Sequence, residues 1–421
     1  MAMDKIVSPE VAVSKIEDGT HVVFPGSCTN PARFYDSFTK NIARFSDLTV
    51  CSGLSLGEYT FLKKGLGTNF HYKTWQAAPQ LRKLFQENDK TKVSFIPVRL
   101  SDLDVLVSDQ GAIQPEVAVI QTSIPQNDGT VSLGISVGPN QNFVKQAKIV
   151  IAEMSTSRPF TCGDSRVPLD NIDYAIESDS PLVIYDTGLP TANDAKIVDF
   201  VLSLIPEDAT VQFGVGAIPD RILAGLADVS GANLFSGMLS QSLIHFLENA
   251  EGTATVVNGE LAGDQTLYDY CHLNKRIFMA PLSKTHNFFE LCALKRFISI
   301  NSAVEIDLQG QSNGETLGKV QISGVGGSLD YIQAALLCEG GASILAMPST
   351  TGGDKRSKIV AQLAHGSAVT TPRYCVDYVV TEYGIASLRG KSLWERADQL
   401  VSVAHPKFRE SLVAEFEEQV T

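Results

Sequence analysis

Short, uniformly apolar runs alternate along this chain with longer stretches of helical spacing. Val22-Val23-Phe24, Leu48-Thr49-Val50, Val93 to Ile96, Val117 to Ile120 and Lys148 to Glu153 read as strands whose apolar residues follow in succession rather than by alternation. Between them, Pro31 to Ala43 and Ala78 to Gln86 carry helix-like spacing. Strand–helix alternation with continuously apolar strands predicts parallel sheets covered on both faces. The pattern breaks across Ser178 to Lys196, where two prolines sit among polar turn residues. It restarts with Thr210-Val211-Gln212-Phe213 and a helix-like Asp220 to Ala227. Further strands are expected at Thr253 to Asn258, Phe297 to Ile300, Ser343 to Met347 and Tyr378 to Val380, and a helix over Leu329 to Leu337. The expected fold class is α/β: two open domains with mostly parallel sheets, 1–190 and 191–421, the boundary falling between about 185 and 200.

Composition narrows the function classes. With 44% hydrophobic and 19% charged residues over 421 positions, a disordered or fibrous chain is excluded. Lys plus Arg number 34 against 47 Asp plus Glu, a formal charge of −13. So acidic a chain is a poor partner for nucleic acid or an anionic membrane. No apolar run approaches the ~18 residues of a membrane span. Met1 to Glu10 carries Asp4 and Glu10 and lacks a signal-peptide core, so a cytoplasmic location is expected. Seven widely spread cysteines with no CxxC pair argue against a disulfide framework and against a structural zinc site.

Candidate chemistry concentrates in three glycine-rich loops. Phe213-Gly214-Val215-Gly216-Ala217-Ile218-Pro219 follows a strand and opens a helix. There, backbone N–H groups can approach a phosphate or a developing oxyanion beside the positive end of the helix dipole. A tight strand-to-helix turn is the plainer reading. Pro219 stands where the third glycine of a dinucleotide fingerprint belongs, so that motif is excluded. Ser323 to Ser328 is the second loop. Pro348 to Lys358 is the third, with Lys355, Arg356 and Lys358 beside Gly352 and Gly353. Those cations read either as a clamp for a polyanion such as coenzyme A or as a solvated hairpin tip. The pairs His245/Glu248 and His286/Glu290 complete no metal site.

The stretches SINSAVEIDLQGQSNGET (299–316), ISGVGGSLDYIQAA (322–335), MPSTTGG (347–353), VDYVVTEYGIASLRGKSLWERA (376–397) and AHPKFRESL (404–412) together resemble the acetyl-CoA hydrolase/transferase family. The likeness is strongest to its 4-hydroxybutyrate and butyryl-CoA:acetate CoA-transferase branch. It continues more weakly through 125–137, 147–154 and 158–165, nearly the whole chain. The resemblance implies two open α/β CoA-transferase-type domains, coenzyme A as part of the substrate, no metal, and a homodimer or higher homo-oligomer. It also implies ping-pong chemistry, in which a glutamate attacks the acyl-CoA thioester and becomes a glutamyl-CoA thioester. Gly214, Val215, Gly216, Ala217 and Ile218 match the family's CoA-contacting glycine loop, and Gly326, Gly327, Thr350 and Lys355 its other CoA segments.

The glutamate is where this chain departs. Relatives carry a segment resembling T-E-M-x-x-D-G about twenty residues after the glycine loop. Here that place reads Ser236-Gly237-Met238-Leu239-Ser240-Gln241-Ser242, with Gly237 at the nucleophile position. Ser155 and Phe160 replace an Asn and an Arg common in relatives. Three readings follow. Acyl transfer from CoA to a non-standard small-molecule acceptor or to water, with no glutamyl-CoA, is the first, with Glu260, Glu315 and His245 as acid/base candidates. His245 serves only if its helix points it inward. Ordinary CoA transfer by a relocated Glu260 is the second, against the plainer reading of Glu260 as a solvent-facing strand end. A non-catalytic CoA-binding or scaffolding homologue is the third.

Overall fold

The computed structural model describes residues 3–87, 89–188 and 191–420. Leu189 and Pro190, inside the expected boundary region, lie outside the described residues. The chain divides into two compact units, Met1–Asp186 with Val256–Thr285, and Thr187–Thr255 with His286–Thr421. The return of 256–285 to the first unit differs from a single cut at 190/191. Main-chain bonds explain it: Val137 N donates to Gly259 O (3.0 Å), Leu261 N to Ile135 O (2.8 Å) and Met279 N to Cys162 O (3.0 Å). Local periodicity shows that a strand exists but not which neighbours it joins.

In the first unit, β1 (His21–Val23), β2 (Leu48–Ser52), β3 (Phe70–Thr74), β4 (Val93–Phe95), β5 (Pro115–Ser123), β6 (Ile149–Ser155) and β7 (Tyr174–Ser178) form a parallel sheet in the order β4-β3-β2-β1-β5-β6-β7. The chain then runs through β8 (Thr210–Phe213) and β9 (Asn233–Ser240) of the second unit. It returns to the first with the parallel pair β10 (Val256–Ala262) and β11 (Ile277–Met279). The second unit resumes with β12 (Phe297–Asn301), β13 (Ala342–Ala346), β14 (Tyr378–Thr381) and β15 (Gly384–Ser387). Its strands β9-β8-β12-β13-β14 are parallel, and β15 closes the edge antiparallel. The α/β class with mostly parallel sheets is thus the one the sequence predicts.

Local chemistry sets the elements. Strands β5, β6, β12 and β13 are buried almost throughout, as continuous apolar runs demand of parallel sheets. Helix Ala192–Leu202 opens on a capping box between Thr191 and Asp194, and Leu393–Val403 on one between Ser392 and Glu395. Phe34, Tyr35 and Phe38 on helix Ala32–Lys40 pack their rings around Phe24 in the first core. Ile306, Ile332, Leu345, Val379, Leu400 and Phe416 anchor the second. The strand expected at 253–258 lies three to four residues later, which puts Glu260 inside β10 rather than at its end. The polar-rich strands β3, β7 and β9 escaped the apolar-run criterion, and β9 holds Gly237 in mid-strand.

Candidate functional site

In the second unit the chain steps from β8 to β9 on one side, while β12, β13 and β14 extend the sheet on the other. The crevice outside the carboxyl ends of β8 and β12 is therefore the topological switch point, where open α/β sheets bind ligands. The first glycine loop sits there. Gly214 N donates to Ile300 O (3.0 Å), Gly216 adopts φ +129°, and helix Ala217–Gly225 starts at once. A Cβ added to Gly214 would meet only Asn301 Oδ1, at 3.9 Å, so the loop presents bare backbone to open space. Beneath it Ser299 Oγ donates to Gln212 Oε1 (2.8 Å), and Asn301 Nδ2 donates to both (3.1 Å to Gln212 Oε1, 2.9 Å to Ser299 Oγ). This buried amide network fixes the loop's footing.

The serines flanking position 237 are structural. Asp220 accepts from Ser240 Oγ (2.6 Å), Ser242 N (3.1 Å) and Ser242 Oγ (2.8 Å), tying the glycine-loop helix to the end of β9. Ser236 Oγ donates to Phe213 O (3.2 Å) and to Met238 O (3.0 Å). Gly237 itself faces His286 and Tyr331. A Cβ placed on it would lie 2.9 Å from His286 Cε1, 3.1 Å from His286 Nε2 and 3.0 Å from Tyr331 Oη. His286 is 2% exposed, and burial pushes its pKa down to about 3, so the imidazole is neutral. In the sequence His286 looks like half of a surface pair with Glu290, four positions on; in the fold it occupies the turn between two short helices and is buried.

The other loops divide between anchoring and exposure. Buried Glu315 accepts from Thr370 Oγ1 (2.9 Å), and its carbonyl accepts from Ile322 N (2.8 Å) and Ser323 N (3.1 Å), so it holds the entry to the Ser323–Gly327 loop. Gly326 takes φ +60° and Gly327 caps helix Ser328–Leu337. Thr350–Thr351 pairs with Arg356–Ser357, and the intervening tip is exposed. Thr350 Oγ1 donates to Asp354 Oδ1 (2.6 Å) across it, while Lys355 and Arg356 point to solvent. Lys358 breaks the expected trio of cations. Burial lowers it to about 8 while the Glu382 charge pulls it up, and Glu382 itself accepts from Ser349 N (2.8 Å) and Oγ (2.6 Å). Its charge answers a protein carboxylate rather than the hairpin tip.

The acid/base candidates part company. His245 is exposed on helix Leu243–Asn249 with Nδ1 3.2 Å from Asn249 Nδ2 of the same helix. Its helix turns it outward, which removes the condition under which it could act. Glu260 is 8% exposed and lies in the first unit, so it is not the solvent-facing strand end of the plainer reading. A Cβ on Gly138 would sit 2.5 Å from its Oε1. Burial raises its carboxyl to about 8, against smaller lowering by the Ser136 and Ser27 hydroxyls and the Arg158 charge. Despite that proximity, Glu260 Oε2, Ser27 Oγ and Arg158 Nε form no hydrogen bond among the described residues. Ser27 follows β1, the switch strand of the first sheet, with a left-handed φ of +58°, an uncommon conformation for serine. Ser155 and Phe160 are both buried nearby in the chain, Ser155 with its Oγ 2.7 Å from Ser157 Oγ.

Among the described residues no group of three His, Cys, Asp or Glu side chains could hold a metal, and no helix is long and apolar enough to cross a membrane. Two parallel-sheet units, each with polar groups at its switch point and one with an open glycine loop before a helix, define an α/β architecture with room for a ligand. Residues 3–185 match the N-terminal domain, and 263–416 the C-terminal domain, of acetyl-CoA hydrolase/transferases. The chain belongs to that family, whose members are CoA transferases or hydrolases. It is 35% identical to the 4-hydroxybutyrate coenzyme A transferase of Clostridium kluyveri, over 99% of this chain and 98% of that one. It is 27% identical to the butyryl-CoA:acetate CoA-transferase of Anaerostipes caccae over 98% and 96%. The crystal structure of 4-hydroxybutyrate CoA-transferase from Porphyromonas gingivalis superposes with a TM-score of 0.81 at 28% identity, covering 99% of this chain and 98% of that one.

Proposed function

We propose that this protein moves an acyl group from a short-chain acyl-CoA to a non-standard small-molecule acceptor, or to water, without the glutamyl-CoA intermediate of ordinary CoA transfer. One observation carries the reading. Position 237, which the resemblance of 236–242 to the family's T-E-M-x-x-D-G segment puts at the nucleophile, is a mid-strand glycine, and the space beside it is taken by a neutral imidazole and a phenol. The bare backbone of Gly214 to Ile218 then receives the thioester end of the substrate. Gly326, Gly327, Thr350 and Lys355 take the pantetheine and phosphate end. N–H groups of the glycine loop polarise the thioester carbonyl, each such donor being worth on the order of 10²–10³ in rate. The acceptor's lone pair forms the new bond to the acyl carbon, the C–S bond breaks, and the acceptor's proton goes to the departing thiolate. The protein works in the cytoplasm as a homodimer or larger homo-oligomer.

The test is intact-mass spectrometry of the enzyme during turnover of acetyl-, butyryl- and 4-hydroxybutyryl-CoA, before and after borohydride. Free CoA release that depends on an added acceptor or on water, with no covalent CoA on the protein, is the expected result. A borohydride-sensitive glutamyl-CoA adduct rejects it.

Glu260 supports a second reading, CoA transfer by a relocated nucleophile, because it is a buried carboxyl with an unpartnered oxygen. A carboxyl raised to about 8 is mostly protonated at neutral pH, which suits acid/base work better than nucleophilic attack. An adduct mapped to Glu260 and lost in Glu260→Gln would establish that alternative.

A further inference from the structure

Gly237 has no positive φ, so its backbone conformation does not call for glycine. His286 does. The imidazole lies against both Gly237 and Gly327: a Cβ on the first would approach Cε1 to 2.9 Å, and a Cβ on the second would overlap Nε2. The Tyr331 ring closes another side, 4.8 Å away centroid to centroid at 49°. The chain just beyond is pinned where Asn287 Oδ1 accepts from Phe289 N (3.0 Å) and Glu290 N (3.3 Å). At 2% exposure, with two backbones and a phenol around it, the ring has little freedom to swing aside.

We propose that His286 is a specificity-determining residue, whose ring fills the volume a side chain at position 237 would enter and thereby closes the covalent enzyme–CoA route. This rests on the reading of position 237 as the family's nucleophile position. Gly237→Glu alone therefore leaves the chain without a usable carboxylate, because the new side chain meets the imidazole at its first carbon. Gly237→Glu with His286→Ala opens the space. In that double variant the introduced carboxylate attacks the thioester carbonyl and the C–S bond breaks, leaving a mixed anhydride and CoA thiolate. The thiolate then attacks the enzyme-side carbonyl, releasing the acyl group as its free carboxylate and leaving CoA bound to the enzyme as a thioester.

Wild type, both single variants and the double variant are incubated with acetyl-, butyryl- and 4-hydroxybutyryl-CoA and analysed by intact mass. A covalent CoA adduct in the double variant alone is expected. An adduct in Gly237→Glu equal to that of the double variant overturns the proposal, as does none in a double variant that is folded and binds CoA. An adduct on wild type would count against the proposed function and leave the steric claim standing. Gly237→Ala supplies a measurement that needs no turnover. It is expected to lower Tm by a few degrees in the wild-type background and by clearly less in His286→Ala, where the ring is gone and only the Tyr331 hydroxyl remains close. Equal Tm changes in the two backgrounds overturn the proposal.

Discussion

Replacing Glu260 by Gln keeps the shape of the side chain and removes its ionisation, so the pair reads the electrostatic cost of this carboxyl directly. Its pKa is raised from an ordinary 4.5 to about 8, with burial as the main cause. A carboxyl raised on folding binds its proton more tightly in the native state. The stability it contributes is complete below 4.5 and is lost as pH climbs through 8. Relative to glutamine, the cost is about 2 kcal/mol at pH 6 and about 5 kcal/mol at pH 9, at roughly 1.4 kcal/mol per pH unit. Glu260→Gln should therefore gain about 3 kcal/mol on wild type between those pH values, about 5–10 °C in Tm for a unit of this size. Differential scanning calorimetry of both proteins at pH 6 and pH 9 measures it. A Tm difference that is the same at the two pH values refutes a buried, protonated Glu260.

Other consequences are as direct. His286, held neutral by burial at about 3, contributes stability that is present above 6.5 and lost as pH falls toward 3; His286→Gln should flatten the loss of Tm between pH 6 and pH 4. Asp220→Ala removes the acceptor of three hydrogen bonds from Ser240 and Ser242 and should cost about 2–3 kcal/mol in urea unfolding, with faster amide exchange at the end of β9. Lys355→Ala combined with Arg356→Ala should raise KM for acyl-CoA about two- to five-fold at low salt, with unchanged Tm and a difference that shrinks as salt is added.

Much of this architecture is legible before any coordinates. Strands such as β5, β6, β8 and β12 announce themselves because a parallel sheet buries both faces and so draws runs of apolar residues, with the few buried polar ones paired to each other. Strand β9 does not, because Ser236, Gly237 and Ser240 serve neighbouring loops and a buried ring rather than strand propensity. The glycine loops were found by their spacing, and the anchoring roles of Asp220 and Glu315 were not, since each depends on partners 20 to 55 positions away. Glu260 was singled out by type, yet its environment came from Gly138, Ser27 and Arg158, which long-range strand pairing brings to it. The packing of His286 is illegible in the sequence for the same reason: the two glycines that make room for it stand 49 positions before it and 41 after.

What confronts the thioester decides the reaction. A crystal structure with a non-hydrolysable acyl-CoA analogue tests it most directly. The account predicts Gly214–Gly216 backbone and the Gly237 face, still backed by His286, within about 4 Å of the thioester carbon, and no carboxylate in attacking position. A glutamate oxygen poised on that carbon would contradict it and return this chain to ordinary CoA transfer.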